Sequence, residues 1–285
     1  MKLKKVAKIL LSCVLAGALF TGCGGSQGDK PAQGGDEIKL GMITHLNATE
    51  NKMAEILQMV QQQTKDPVSK YAVTYYNNLN NLQIGIESGN VDEVSVYKSV
   101  ADYLIAANDK YEYADNASTA NLADSFCFAL RKEDSALKAD LDKIIDEMKG
   151  DGSLDKLIND FITNVDNGKT PPKVDIPMTE NADTIKFGVT GDLPPLDYVN
   201  ADGTPAGFNT ALLAEVAKRL GKNIEIVDID SDARAAALAS KQIDVVFWAV
   251  VPLGDKVPND IDKPDSIEMS VAYFKDDVKH LKLKK

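Results

Sequence analysis

Residues 185–250 decide the fold, with the sequence IKFGVTGDLPPLDYVNADGTPAGFNTALLAEVAKRLGKNIEIVDIDSDARAAALASKQIDVVFWAV. Three apolar runs in it have the length of buried strands. They are Ile185–Val189, Ile224–Ile229 and Ile243–Trp248. Helices are predicted between them at Thr210–Leu220 and Ala233–Ser240. Strands that alternate with helices predict an α/β fold whose ligands bind beyond the carboxyl ends of parallel strands.

The longer predicted helix has well-marked ends. Asn209 can cap its N-terminus, and Gly221 follows its last residue. Leu212, Leu213 and Val216 share one face, which should pack on the sheet. The loop before the helix contains Pro194 and Pro195, and two prolines argue against regular strand pairing there.

Several short motifs lie at the turns of this stretch. They are Pro194-Pro195, Asp202-Gly203, Gly207-Phe208-Asn209 and the run Ser240–Asp244. In this combination the stretch resembles the first lobe of the extracellular solute-binding proteins of ABC importers, in the amino-acid-binding family. The resemblance implies two Rossmann-like lobes joined by a hinge, of the periplasmic-binding-protein type II.

The first half of the chain resembles the second lobe of the same family. Its marker is the run from Ile86 to Leu104, IESGNVDEVSVYKSVADYL, followed by Phe128-Ala129-Leu130-Arg131-Lys132. Because the usual order of the lobes is inverted, we expect a circular permutation, with residues 278–283 near Ile38. Two incomplete modules completed by dimerisation are the alternative architecture.

The predicted domains follow from this comparison. A lipoprotein signal peptide spans 1–22 and a flexible tether 23–36. One lobe with its C-terminal helices spans 37–165, a proline-containing linker 166–184, and the other lobe 185–285.

The two halves also echo each other. Ile38–Thr44 matches Ile185–Thr190 at an offset of 147 residues, and the turn ending at Asp92 matches the turn ending at Asp244 at an offset of 152. Two landmarks at nearly equal offsets predict units of similar build. Chance likeness between two βαβ units is the alternative.

The N-terminus resembles an export and lipidation signal. Four lysines precede the apolar run Ile9–Phe20, and Phe20-Thr21-Gly22-Cys23 resembles a lipobox that would place a lipid on Cys23. Cleavage at another small residue is the alternative. Removing the four lysines takes the net charge from −11 to −15, so nucleic acid is not expected as a partner. Membrane attachment outside the cytoplasm would depend on the lipid.

The remaining thiol and imidazole groups do not suggest a metal site. Cys127 lies in an apolar, strand-like run and is expected to be a buried thiol without a disulfide partner. The two histidines, His45 and His280, are far apart in sequence and have no nearby cysteine. The sequence therefore predicts no metal and no cofactor.

The ligand-contact candidates are polar or aromatic residues near predicted strand ends. They are Asp192, Tyr198, Trp248, Thr44, Asn47 and Tyr97. Tyr97 stands where the family places an ammonium-binding aspartate, and the run Ala249–Gly254 lacks the family's carboxylate-binding arginine. Arg234 could supply a cationic contact, and a solvated helix face is the default expectation for it.

The resemblance implies a lipid-anchored solute-binding protein and no enzymatic activity. It would be a monomer that closes on a small polar metabolite, an amino acid or a related compound, and docks on an ABC permease. A sensory or scaffolding lipoprotein with a degenerate cleft is one alternative. An enzyme on the same fold is another, with Asp192 and His45 as its acid–base pair.

Overall fold

The computed structural model describes residues 37–44, 50–51, 54–55, 58, 71–114, 123–166, 171–252 and 265–285, and within them the side chains of 247–252 are left aside. Its strands are β1 (Ile38–Ile43), β2 (Tyr71–Tyr76), β3 (Glu93–Tyr97), β4 (Tyr111–Tyr113), β5 (Ala123–Arg131), β6 (Thr184–Val189), β7 (Asp192–Leu193), β8 (Asp197–Val199), β9 (Pro205–Ala206), β10 (Asn223–Asp228), β11 (Val245–Pro252), β12 (Ile267–Met269) and β13 (Phe274–Leu283). Its helices are α1 (Leu79–Glu87), α2 (Lys98–Ala107), α3 (Ser135–Asp151), α4 (Ser153–Ile158), α5 (Phe208–Leu220) and α6 (Arg234–Ala239). A π-helical stretch, Asn159–Thr163, and a short turn, Asn164–Asp166, continue α4, and a 3-10 turn, Ser231–Ala233, precedes α6.

Ten of the described strands form one mixed sheet, which confirms the predicted α/β class. Its main path runs β10-β6-β11-β5-β13-β3-β1-β2, with β12 and β4 beside β5 and β13. The pairs β1–β2, β1–β3, β6–β10 and β6–β11 are parallel. The pairs that β5 and β13 make are antiparallel, and they stand between the two parallel groups.

Strand β13 connects two parts of this sheet. Its first residues, Phe274–Asp277, pair with β5, and Val278–Leu281 pair with β3. We call β1–β4 the first half-sheet and β5, β6 and β10–β12 the second half-sheet. The segment predicted to lie near Ile38 is thus separated from β1 only by β3.

Strand β5 is paired differently from the sequence-based division of the chain. The predicted lobe 37–165 includes Ala123–Arg131, yet these residues pair with β11 and β12 of the second half-sheet. Antiparallel pairing along nearly the whole of β5 fixes it there, and all nine of its residues are buried. The lobe boundaries therefore stay a prediction.

A continuous apolar core underlies both half-sheets. It includes Val94 of β3, Phe128 of β5, Phe187 of β6 and Leu212 of α5, all at most 2% exposed. The predicted apolar face of α5 is confirmed, because Leu212 is joined by Leu213 and Val216, which are fully buried. Burial of such side chains stabilises the fold by about 1.5–3 kcal/mol each.

Two details of the predicted second half differ from the structure. Asn209 does not cap α5: Gly207 is the N-cap, and the Asn209 amide donates a hydrogen bond to Asp197 Oδ2 at 2.7 Å. Residues around the double proline do pair, as β7 with β8, because the prolines form the turn between the two strands.

Cys127 is a buried free thiol, as predicted. Burial raises the pKa of this thiol to about 11, with a further contribution from Asp142. No helix in the described part of the chain has the length and apolar character needed to cross a bilayer.

Candidate functional site

The loop after β6 carries a carboxylate that is enclosed by the protein. Asp197 is 2% exposed and accepts hydrogen bonds from the Gly191 N–H at 2.9 Å, Thr190 Oγ1 at 3.1 Å and the Asn209 amide. Burial raises its pKa to about 6, although each of these donors acts in the opposite direction. The loop is therefore organised around an acidic group from which water is excluded.

Arg234 lies beside this carboxylate at the start of α6. It is 1% exposed, so the default expectation of a solvated helix face is wrong. Burial lowers the pKa of its guanidinium to about 10, while the charges of Asp197, Tyr97, Tyr273 and Asp192 favour the cation. Arg234 shares a helix face with Ala237 and Leu238, and packing of that face against the second half-sheet takes the arginine inside.

Tyr97 reaches the same region from the first half-sheet. It is 7% exposed, ends β3, and packs edge-on against Phe126 with ring centroids 4.7 Å apart. Burial raises the pKa of nearby Asp124 to about 7, a shift that hydrogen bonding by Tyr97 opposes and the charge of Asp276 reinforces. Tyr97, one of the predicted contact residues, therefore lies beside polar groups and is also tightly packed.

These groups form one buried polar centre between the half-sheets, which we call the polar cluster. Its members are Tyr97, Asp124, Asp192, Asp197, Arg234 and Tyr273. Carboxylates outnumber the single guanidinium among them. Such a cluster can bind a polar solute only by exchanging internal contacts for contacts with that solute.

Asp192 joins the loop after β6 to the first half-sheet. Its Oδ2 accepts the Asn80 N–H at 2.9 Å, so Asp192 lies at the N-terminus of α1, close to the Leu79 N–H. Burial raises its pKa, the two N–H donors lower it, and the charge of Asp230 raises it. The favourable end of the α1 dipole is thus occupied by a side chain of the protein itself.

Asp230 makes a second connection between the same parts. Its two carboxylate oxygens accept the side-chain amides of Asn77 and Asn78, both at 3.1 Å. Ser231 adds a backbone bond at 3.0 Å and a hydroxyl bond at 2.7 Å, both to the Asn77 carbonyl. Together with Asp192, these contacts hold the β10–α6 connection against the start of α1.

A cavity of about 520 Å³ lies at the carboxyl ends of β1 and β2. Thr44 lines it, and the Thr44 N–H donates to the Tyr76 carbonyl at 3.1 Å. Other lining residues include Glu50, Tyr75, Tyr76, Asn81 and Asp232. Of the predicted contact residues whose side chains the structure describes, Thr44 lines this cavity.

Asp192 and Tyr97 belong to the polar cluster, and of the remaining predicted contacts the structure describes the side chain of Tyr198. Tyr198 lies on β8, where burial and then the charge of Tyr103 raise its pKa. Trp248 lies in β11, whose side chains beyond Val246 are not described. Asn47 and His45 fall outside the described residues, as do Cys23 and the predicted signal peptide.

Within the described ranges, no group of three or more His, Cys, Asp or Glu side chains is arranged to hold a metal ion. His280 lies on β13 and is buried, and its Nδ1 is 3.0 Å from Glu93 Oε2. In the strand order, β11 and β5 stand between β13 and β6.

The segment that decides the fold is of the solute-binding type. Residues 185–252 match the family described as bacterial extracellular solute-binding proteins, family 3, which confirms for this segment the resemblance inferred from the sequence.

Curated relatives are named for arginine. The arginine-binding extracellular protein ArtP of Bacillus subtilis is 33% identical over 70 residues, 25% of this chain and 27% of the relative. A probable ABC transporter arginine-binding protein, ArtJ of Chlamydia trachomatis, is 24% identical over 103 residues, 36% of this chain and 37% of the relative. The matches thus span about a quarter to just over a third of these relatives.

Two solved structures align with most of the chain at low identity. The GluR0 ligand-binding core from Nostoc punctiforme, in complex with L-glutamate, covers 87% of this chain and 85% of its own at 9% identity and a TM-score of 0.35. A putative L-cystine ABC transporter from Listeria monocytogenes covers 87% and 83% at 12% identity and a TM-score of 0.38.

Proposed function

We propose that this chain is the solute-binding component of an ABC importer and captures a small polar metabolite without chemical conversion. The observation that carries the proposal is the family match over residues 185–252. The polar cluster adds support, since it lies where residues from both half-sheets meet. Capture between two elements that close on a ligand is a common mode of binding for small polar molecules.

The proposed ligand is an amino acid or a related compound. Two relatives carry arginine in their names, and the polar cluster offers both acceptors and one cation to a zwitterion. Asp192, Tyr198, Trp248, Thr44, Asn47 and Tyr97 are the proposed contacts. Arg234 is added to them, because it is the buried cation of the cluster and could face a carboxylate in place of the arginine missing from Ala249–Gly254.

The remaining parts of the proposal concern location and assembly. Cys23 would carry a lipid that holds the protein outside the cytoplasmic membrane, and the partner would be a membrane permease that recognises the closed form. We further propose a monomer of two lobes in permuted order, with residues 166–184 as the link.

Native mass spectrometry followed by thermal shift tests the binding role. The full chain, purified in mild detergent, is expected to retain a small molecule or to show a higher melting temperature with amino acids, because a ligand stabilises the folded state by mass action. Asp192→Asn and Tyr97→Phe should reduce that shift. Tyr113→Phe, a change at a more exposed tyrosine of β4, should leave it unchanged.

The test has clear contrary outcomes. A protein that arrives empty and gives no shift with amino acids, organic acids or amines would speak against a receptor. Equal loss of the shift in Tyr113→Phe and Asp192→Asn would remove the proposed site.

A scaffolding or sensory lipoprotein is the second candidate. It is favoured because carboxylates that could contact a ligand already bond other parts of the protein: Asp192 and Asp230 accept hydrogen bonds from residues at the start of α1. A degenerate cleft of this kind would bind no metabolite and would bind a protein partner. Affinity capture of the membrane fraction with and without the permease tests it, since a receptor should depend on the permease and a scaffold should not.

A further inference from the structure

Two buried carboxylates face each other where the half-sheets are joined. Asp124 of β5 and Asp276 of β13 are partners in the antiparallel register, so their side chains stand on the same face of the sheet. The Cβ atoms of such partners are about 5 Å apart. Both residues are only 8% exposed, so two negative charges here would repel each other with little screening by water.

The pair lies at the step where β13 changes its partner. This strand pairs with β5 as far as Asp277 and with β3 from Val278 onwards. Among the described strands, β13 is the one that pairs with both half-sheets. A movement of one half-sheet relative to the other would therefore bend or twist the backbone at this step, and a few residues that absorb such a change act as a hinge.

Asp276 is the member of the pair whose negative charge is better stabilised. Its Oδ2 accepts the Ser99 N–H at 3.0 Å, in the first turn of α2. The positive end of the helix dipole favours an anion at this position. Burial raises the pKa of Asp276, and the hydrogen bonds from Ser99 lower it.

Asp124 is the member on which a proton is expected. Burial raises its pKa to about 7, hydrogen bonding by Tyr97 lowers it, and the charge of Asp276 raises it. Carboxylates this close titrate as a pair, so the last proton to leave, near neutral pH, belongs to both residues together.

Several elements bring charged or titratable groups near the pair. These groups are Asp277, Lys275 and Lys279 of β13, Tyr97 of β3, Lys98 of α2 and Arg234 of α6. On the β11 side, Asp124 is opposite Pro252, which carries no charge. Lys275 is the partner of Ser125, so it stands on the other face of the sheet from the pair.

The remaining cations have partners outside the pair. Lys98 bonds Asp102, and Lys279 Nζ lies 3.7 Å from Asp277 Oδ2. Arg234 interacts with Tyr97 inside the polar cluster. A bound proton is therefore the direct way to relieve repulsion between the two carboxylates.

We propose that Asp124 and Asp276 hold one proton between them, and that its loss to solvent as the pH rises through neutrality weakens the pairing of β5 with β13 and lets the half-sheets separate. Separation admits water to the two carboxylates, so the doubly charged pair favours an open form and the protonated pair a closed form. The inference concerns regulation of the proposed receptor and rests on that function in one respect: a ligand would be held more firmly below neutral pH than above it.

Hydrogen exchange measured by mass spectrometry tests this switch on the full chain in mild detergent, without any ligand. Protection of the amides in residues 123–127 and 274–278 is compared at about pH 5.5 and about pH 8.5, after correction for the chemical exchange rate. We expect protection to fall about tenfold at the higher pH, the factor that corresponds to one pKa unit of repulsion between the carboxylates. The parallel pair β6–β10 is the internal reference and should keep its protection.

Two variants remove the shared proton. Asp124→Asn and Asp276→Asn each leave one carboxylate opposite a neutral amide of similar size, so each should abolish the pH difference, and either one suffices if the other does not fold. Asp197→Asn is the matched control, because Asp197 is also buried and its pKa is also raised, to about 6. It should leave the pH difference in β5 and β13 unchanged.

Urea denaturation checks the sign of the effect. Native Asp124 keeps its proton up to about pH 7, whereas an unfolded aspartate loses it near about pH 3.9. The folded state therefore binds more protons between these values, so the urea midpoint should fall as the pH rises through this window and level off above it. Asp124→Asn should make the fall shallower.

Equal corrected protection at the two pH values in the unaltered chain would overturn the switch. A pH difference that survives in both Asp124→Asn and Asp276→Asn would do the same, and one that disappears in Asp197→Asn would assign the effect to the loop after β6. None of these outcomes involves a ligand, so they leave the receptor proposal untouched. Failure of every amino acid to bind would count against the receptor and not against the switch.

Discussion

The unit β1–α1–β3 and the unit β6–α6–β11 have the same turn between the helix and the third strand. In the first, Asp92 Oδ2 accepts the Lys39 N–H at 3.0 Å, and the Asp92 N–H donates to the Lys39 carbonyl at 2.8 Å. In the second, Asp244 and Lys186 make the same two bonds at 3.0 and 2.8 Å. Each aspartate thus fixes the start of its third strand to the first strand of its unit.

The helix ends of the two units agree as well. Ser88 Oγ donates to the Gly85 carbonyl at 3.2 Å, and Ser240 Oγ donates to the Ala237 carbonyl at the same distance. The two turns are 152 residues apart, which is the offset at which the two halves of the sequence resemble each other. Similar short motifs have therefore produced the same local hydrogen bonding in both halves of the chain.

The units differ in what lies beyond the aspartate. Asp92 is exposed, whereas Asp244 Oδ1 bonds Arg131 Nη2 at 3.0 Å. Arg131 is largely buried and also donates to the carbonyls of Leu238 and Ile243, at 3.1 and 2.7 Å. One turn is a local structure, and the other is a junction that ties β5 to the end of α6.

Removing each aspartate should show the largest difference between the units. We expect Asp244→Ala to lower the free energy of unfolding by about 3 kcal/mol, because the buried Arg131 guanidinium loses one of its two carboxylate partners and keeps Asp134, 2.7 Å from its Nε. Asp92→Ala should cost about 1 kcal/mol, the value of one exposed side-chain to backbone bond. Urea denaturation of both variants measures the difference.

Asp244→Asn is the control for charge. Its amide oxygen can still accept the Lys186 N–H, so an intermediate loss is expected, most of it from the weaker bond to Arg131. Equal losses for Asp92→Ala and Asp244→Ala would mean that the junction adds nothing to stability.

The central glycines of the first strands should give a smaller contrast. A Cβ on Gly41 would lie 2.6 Å from Leu82 Cδ1 and 3.2 Å from both Tyr76 and Val91. A Cβ on Gly188 would lie 2.6 Å from Ile243 Cδ1, with its next neighbour at 3.6 Å. Since one flexible atom moves more easily than three neighbours, we expect Gly41→Ala to cost about 2 kcal/mol and Gly188→Ala about 1 kcal/mol.

A second substitution checks the cause of the smaller loss. Ile243→Val removes the Cδ1 atom that the new methyl group would meet. The double variant Gly188→Ala/Ile243→Val should therefore be more stable than the sum of the two single losses predicts, as measured in a double-mutant cycle. Strict additivity would show that the contact is not the source of the loss.

Local pattern was sufficient to predict much of the fold. The apolar face of α5 is buried as its spacing implies. This feature depends on residues a few positions apart, which a single sequence displays. The turns at Asp92 and Asp244 belong to the same class, because each involves one short motif and the adjacent parallel strand.

The candidate site was only partly predictable. Tyr97 and Asp192 were found from their positions at strand ends, and both lie in the polar cluster. For Arg234 a solvated helix face was the default expectation, because charge was given more weight than its spacing from Ala237 and Leu238, which lie three and four residues further on and are buried. Asp197 was missed because its donors, Thr190, Gly191 and Asn209, converge only once α5 packs behind the loop.

Substitution of the residue after each serine should give the smallest changes in stability, with opposite signs. Gly89 has φ +75° and Lys241 has φ +60°, so both turns require the left-handed region, which glycine adopts without strain. Gly89→Ala should lower the free energy of unfolding by about 1 kcal/mol, and Lys241→Gly should raise it by about 0.5 kcal/mol. Thermal and urea unfolding measure both.

The gain at Lys241 must be separated from the loss of its ion pair. Lys241 Nζ lies 3.1 Å from Glu133 Oε1, and both side chains are well exposed, so this pair contributes little. Lys241→Ala removes the pair and keeps a Cβ in the left-handed region, so it should be close to neutral. If Lys241→Gly and Lys241→Ala change stability equally, backbone strain is not the difference between the two turns; if only the glycine variant gains, the second unit carries a strain that the first avoids with Gly89.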